Sequence, residues 1–131
     1  MGAWDTGVFD NDGAGDLHAE LLSAGPTGRA DVLRSAFELP CEGYVEVDDG
    51  QRALAAAAVV SAVRAGTDLD AAGRCTAAAD LPPATPELVA LARAAVDRVL
   101  GADSEWRELW EEGDLLADAL SAVARVRADL T

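Results

Sequence analysis

The sequence predicts an all-α protein: a single compact domain, residues 1–131, of six or seven short helices around an apolar central helix. Three observations lead there. Half of the 131 residues are apolar but only 5% are aromatic, and alanine fills the difference in runs such as Ala55-Ala56-Ala57-Ala58 and Ala77-Ala78-Ala79. Alanine is the best helix former and lets helices pack closely. Apolar residues recur three and four apart, the spacing of one helix face. Glycine and proline then punctuate the chain at helix-length intervals, as at Gly25-Pro26, Gly66, Pro82-Pro83 and Gly101. A chain of this length buries roughly two thirds of its unfolded surface, enough to fold without a disulfide or metal staple.

Taken in order, Asn11 or Asp12 can cap a first helix that runs to about Ala24, with Leu17, Leu21 and Ala24 inward and His18 at the surface or half-buried rather than a ligand. Gly25-Pro26 ends it. Thr27 is expected to cap a second helix to about Glu38, with Ala30, Leu33 and Phe37 on its stripe and Arg34 paired to Glu38 one turn on. Residues 39–44 read as a loop, and Val45-Glu46-Val47 alternates too briefly for a strand. Asp48-Asp49-Gly50 opens the most apolar helix, expected over 51–65. Leu54, Ala58, Val59, Val60, Ala62 and Val63 cover nearly its whole circumference, which makes it the central one.

After Gly66, Thr67 or Asp68 is expected to start a weak helix through Ala79, interrupted at Gly73. Thr85-Pro86 reads as an N-cap followed by proline at the first helical position. That helix runs to Leu100, with Leu88, Leu91, Ala92, Ala95, Val96 and Val99 inward and Arg93, Asp97 and Arg98 outward. Ser104 to about Glu112 makes a short acidic helix, and Gly113-Asp114 leads into a last one from Leu115 to about Leu130.

Composition excludes several chemistries. There is no lysine, all ten basic residues being arginine, so Schiff-base chemistry, pyridoxal phosphate attachment and a P-loop lysine are out. His18 is the one histidine, too few for a multi-histidine zinc site. Cys41 and Cys75 lie far apart and have no CxxC spacing, which excludes a zinc ribbon and fits two buried thiols in a reduced, cytoplasmic protein. No cofactor is expected. The longest apolar stretch, 53–60, is too short to span a bilayer, and no secretory signal is legible. Met1-Gly2-Ala3-Trp4-Asp5-Thr6 has the spacing of an N-myristoylation signal, but tryptophan and aspartate are a poor context for one. The net charge of −14 repels nucleic acid and anionic lipid, so neither is expected as a partner and a basic protein is favoured. The same acidity also keeps an alanine-rich chain soluble.

The nine residues Trp4-Asp5-Thr6-Gly7-Val8-Phe9-Asp10-Asn11-Asp12 crowd two aromatics and several hydrogen-bonding side chains near one end. As structure, Asn11 or Asp12 caps the first helix while Trp4 and Phe9 fold back as plugs, each burying on the order of 150–250 Å². As a site, Asp10, Asn11, Asp12 and Asp16 offer oxygen ligands for a hard cation. The spacing nevertheless fails the calcium-loop pattern, which would need ligands at Ala14 and Leu21. Trp106 and Trp110, four apart, share a helix face within a collar of Glu105, Glu108, Glu111 and Glu112. That face either docks on Trp4 and Phe9 or meets an arginine-rich partner through cation–π and charge-assisted contacts. Glu105 with Glu108, or Glu108 with Glu112, could form an acid/base pair, but nothing in the sequence places a substrate between them. The candidate binding residues are therefore Trp4, Phe9, Asp10, Asn11, Asp12, Asp16, Trp106, Trp110 and Glu111, with no catalytic set and no metal site assigned.

The motif Trp4, Gly7, Phe9, Asn11 and Asp12 resembles the opening of an uncharacterised bacterial family, domain of unknown function 4259. The likeness continues through Ala53-Leu54-Ala55-Ala56-Ala57-Ala58-Val59-Val60, the Leu88-Val89-Ala90-Leu91-Ala92 helix and Trp106-Arg107-Glu108-Leu109-Trp110. Asp5 departs from it, standing where related chains often carry a small or uncharged residue. The resemblance implies no activity. The residues themselves favour a small acidic, non-enzymatic protein-binding domain, one version being a neutralising, immunity-like protein that masks a basic site. The alternative is a metal-dependent hydrolase whose carboxylates come from the N-terminal segment and the C-terminal helices.

Overall fold

A computed structural model describes residues 12–25, 27–39, 43–71, 74–76, 80–112 and 116–130. Among these, six helices follow one another: α1 (Asp12–Ser23), α2 (Arg29–Ala36), α3 (Val47–Ala65), α4 (Pro86–Leu100), α5 (Glu105–Glu112) and α6 (Leu116–Asp129). A small antiparallel hairpin, β1 (Leu69–Ala71) and β2 (Arg74–Thr76), lies between α3 and α4. The fold is all-α, with α3 packed against each of the five other helices.

Alanine makes that central position possible. Ala53, Ala55, Ala56 and Ala57 are fully buried, and Leu54, Val59 and Val60 nearly so. Small side chains on several faces let neighbours approach α3 from all round. Gly50 is the tightest such point, where a Cβ would lie 3.3 Å from Val99 Cγ1 and 3.4 Å from Trp106 Cβ. Gly50 therefore belongs inside α3, which begins at Val47, a turn earlier than expected. Asp48 and Asp49 occupy its first turn, where carboxylates complement the helix dipole.

The other helices dock through stripes set by sequence. On α1, Ala14, Leu17, His18 and Leu21 are buried. Their i, i+3, i+4, i+7 spacing is one face, so His18 sits in the apolar stripe, deeper than the surface or half-buried place expected. On α4, Leu88, Ala92, Ala95, Val96 and Val99 face inward, while Leu91, at the edge of that stripe, is 37% exposed instead of buried. Thr85 Oγ1 accepts the Leu88 N–H at 3.2 Å, so this helix starts as its Thr-Pro signal predicts.

Three expectations are corrected. The helix expected over 67–79 is not formed by its described residues: Leu69 pairs with Thr76, Asp70 with Cys75 and Ala71 with Arg74. That is the register of a short antiparallel hairpin. Gly66, at φ 72°, ends α3 in the left-handed region that glycine tolerates. Next, α2 is preceded by Gly28 and has no side-chain cap, so Thr27 does not fill that role. Finally, Arg34 pairs with Asp31 at 3.2 Å and Glu87 at 3.0 Å, not with Glu38, because Glu38 lies beyond the end of α2.

Candidate functional site

The segment 43–47 is stitched to 103–105. Val45 donates its N–H to the Asp103 carbonyl and accepts from the Glu105 N–H, both at 2.9 Å, giving a parallel bridge between Val45 and Ser104. Arg98 donates to the Gly43 carbonyl, and Gly43 holds φ at 95°. The Val47 N–H, one of the orphan donors at the start of α3, donates to Glu105 Oε1 at 2.8 Å. No side chain of α3's own N-cap, Glu46, does this. Ser104 Oγ in turn accepts from the Arg107 N–H at 3.4 Å, starting α5.

This stitching sets Tyr44 beside the outer face of α5. The Tyr44 ring is 43% exposed, and its hydroxyl donates to Glu108 Oε2 at 2.6 Å. That bond, with the nearby charges of Glu108, Glu105 and Glu112, pushes the phenol up to about 12. Val47, Glu105, Glu108, Leu109 and Glu112 line a concavity of about 270 Å³. Among the described residues, no arginine pairs with Glu105, Glu108 or Glu112.

A second concavity, of about 350 Å³, lies on the other side of the α3 N-terminus, lined by Gly13, Asp16, Asp48, Asp49 and Arg52. Arg52 is its one basic group among the described residues. It grips Glu20 through two bonds of 2.6 and 3.1 Å, which lowers the Glu20 carboxyl, and it also feels Asp49 and Asp16. Gly13 is the hinge of this wall. A Cβ there would stand 2.8 Å from Gln51 Cβ, so α1 and α3 touch almost backbone to backbone. The first concavity lies between α3 and α5 and the second between α1 and α3, each beside the first turns of α3.

Of the residues singled out from sequence, Trp4, Phe9, Asp10 and Asn11 lie outside the described residues, and with them the contact expected between Trp4, Phe9 and the later indoles. Asp12 opens α1, its side chain likewise outside the description. Asp16 is exposed and lines the second concavity. Trp106 and Trp110 are 4% and 8% exposed, stacked edge to face at 6.5 Å, so they are core rather than surface anchors. The indole N–H of Trp110 is buried without a hydrogen-bond partner among the described residues. Glu111 pairs with Arg107 at 2.9 Å and does not line either concavity.

Tyr44 is therefore the exposed aromatic beside Glu105, Glu108 and Glu112 among the described residues, and sequence reading missed it. Asp48 and Asp49 were legible only as helix-start residues. The brief alternation Val45-Glu46-Val47 was the one signal that this segment is held extended. Among the described residues, no group of three or more His, Cys, Asp or Glu side chains is placed to hold a metal ion. No described helix is long and apolar enough to cross a membrane.

Comparison with known proteins adds the family and nothing on activity. No curated protein and no solved structure matches this chain. The model of one family, described as a domain of unknown function, matches residues 2–122, nearly the whole length, and the chain belongs to that family, DUF4259.

Proposed function

We propose that this chain is a non-enzymatic binding protein whose acidic face, built from Glu105, Glu108 and Glu112 around Tyr44, receives a basic protein partner. One observation carries the reading: Tyr44 stands exposed among carboxylates that no described arginine neutralises. An aromatic ring and unpaired carboxylates suit a guanidinium, which stacks on the one and bonds the other through its planar fork. Val47 and Leu109 supply an apolar floor for the stem of such a side chain. A partner whose own basic site is covered in this way would be neutralised, the immunity-like version of this role. The lack of lysine, of a second histidine and of a nucleophile motif supports a binding role over catalysis. The net charge supports a protein partner over nucleic acid or membrane, and the cysteine usage supports a cytoplasmic setting.

The test is calorimetric titration with an arginine-rich peptide at low and high salt. A variant carrying Glu105→Gln, Glu108→Gln and Glu112→Gln is compared with one carrying Asp31→Asn, Glu38→Gln and Asp80→Asn. The two have equal net charge. Salt-sensitive binding lost by roughly tenfold or more in the first and kept in the second supports the reading. Equal loss in both refutes it, because the peptide then sees only overall charge.

A further inference from the structure

Among the described residues, opposite charge lines a third concavity. We propose that the groove between the last turn of α3, the first half of α4 and the end of α6 is a binding site for a small organic carboxylate with an apolar body. The groove encloses about 360 Å³, within the range of small-ligand sites. Pro86, Val89, Ala90 and Leu130 form its walls, and Arg64 and Arg93 are its charged lining residues. In a chain with a net charge of −14 and ten arginines, two guanidiniums with no carboxylate among the described lining residues are the exception that needs a ligand.

Neither guanidinium is used up by the fold. Arg64 gives one bond, from Nη1 to the Leu130 carbonyl at 2.7 Å, which leaves most of its donors free. Arg93 is exposed and makes no hydrogen bond or ion pair with any described residue; its one felt contact is the charge of Asp97. The carboxylates nearby are already engaged. Asp97 is held by Arg127 at 2.8 Å, Glu87 by Arg34 at 3.0 Å, and Asp129 accepts from Ser61 at 3.1 Å. The sum is a positive rim above an aliphatic wall. A carboxylate meets the forked donors, and its hydrocarbon part lies on Val89, Ala90 and Leu130. A bare inorganic anion would leave the wall unused, and a neutral alcohol would leave the guanidiniums unused.

This site is independent of the acidic face, and its test does not involve the peptide. The full chain is titrated with octanoate, octanol and inorganic phosphate, followed by backbone NMR. The expected result is saturable binding of octanoate, with shifts confined to residues around 64, 84–93 and 130, and binding of octanol and phosphate weaker by roughly tenfold. Arg93→Gln, at an exposed position, should weaken octanoate by a similar factor, and Ala90→Trp, which fills the groove, should abolish it. Each variant's melting curve is recorded so that loss of fold is separated from loss of ligand. Unsaturable octanoate binding, octanol or phosphate binding as tightly as octanoate, or an unchanged affinity in a folded Arg93→Gln chain would each overturn the assignment.

Discussion

Glu105 caps a helix to which it does not belong: its Oε1 accepts the N–H of Val47 at 2.8 Å, across 58 residues of sequence. The same glutamate donates its backbone N–H to Val45. One residue thus joins the start of α5 to the start of α3 and fixes the strip that carries Tyr44. An N-terminal cap of this kind contributes about 1 kcal/mol, more when the acceptor is charged. Glu105→Ala should lower stability to urea by about 1–2 kcal/mol. Glu105→Gln, which keeps an acceptor oxygen, should cost less than half of that. Denaturation midpoints at matched m-values decide it.

Two glycines on α1 should answer the same substitution with opposite signs. At Gly13 an added Cβ meets Gln51 Cβ at 2.8 Å and the Asp48 carbonyl oxygen at 3.0 Å, and a backbone oxygen gives way only if α1 moves. Overpacking of that kind costs about 1–3 kcal/mol, more than any gain in helix propensity at the second residue of a helix. At Gly15 nothing lies within 4 Å. Gly15→Ala should therefore stabilise by about 0.5–1 kcal/mol. Thermal melts of the two single variants test both signs at once.

Tyr44 is the only tyrosine, so a phenol titration reports on it without assignment. Its pKa stands at about 12 against an ordinary 10.0, chiefly because its hydroxyl bonds Glu108. A raised value in the fold means that the native state holds the proton more tightly than the unfolded chain does. The associated stability is complete below pH 10 and is lost as pH climbs through about 12. Ultraviolet titration should place the transition above that of the urea-unfolded chain, and Glu108→Gln should bring the two closer. Identical transitions in folded and unfolded chains would mean that the bond does not form.

Acid should act in the reverse sense on Glu20. Its carboxyl is lowered below 4.5 by the bonds from Arg52, so the fold gains stability above that value and loses it as pH falls through the lowered one. Glu20 is about half exposed, and solvent screening keeps the contribution under about 1 kcal/mol. Arg52→Met should flatten the acid limb of the stability profile slightly, and added salt should erase most of the difference.

What sequence could and could not reveal follows from the range of each interaction. The Thr85-Pro86 start of α4 and the buried alanines of α3 are local signals, and both are where the residues put them. The hairpin at 69–76 was hidden because three-residue strands are too short to display a period of two. They also sit in an alanine-rich stretch that mimics a helix. His18 was expected at the surface or half-buried because it is polar, although its spacing from Ala14 and Leu21 belongs to the buried stripe. The pairing of Trp106 with Trp110 was legible from their four-residue separation, and their burial is the structural alternative that this spacing offered. Tyr44 and Glu108 are 64 residues apart, and no local pattern joins them.

The decisive measurement uses that single tyrosine as a probe at neutral pH. With fluorotyrosine incorporated at position 44, fluorine NMR follows the resonance as an arginine-rich peptide is added. Docking on the acidic face requires a saturable shift that fades with salt and disappears when Glu105, Glu108 and Glu112 are all changed to Gln. Peptide that binds while the Tyr44 resonance stays fixed would place the interaction elsewhere and contradict the proposed role of this face.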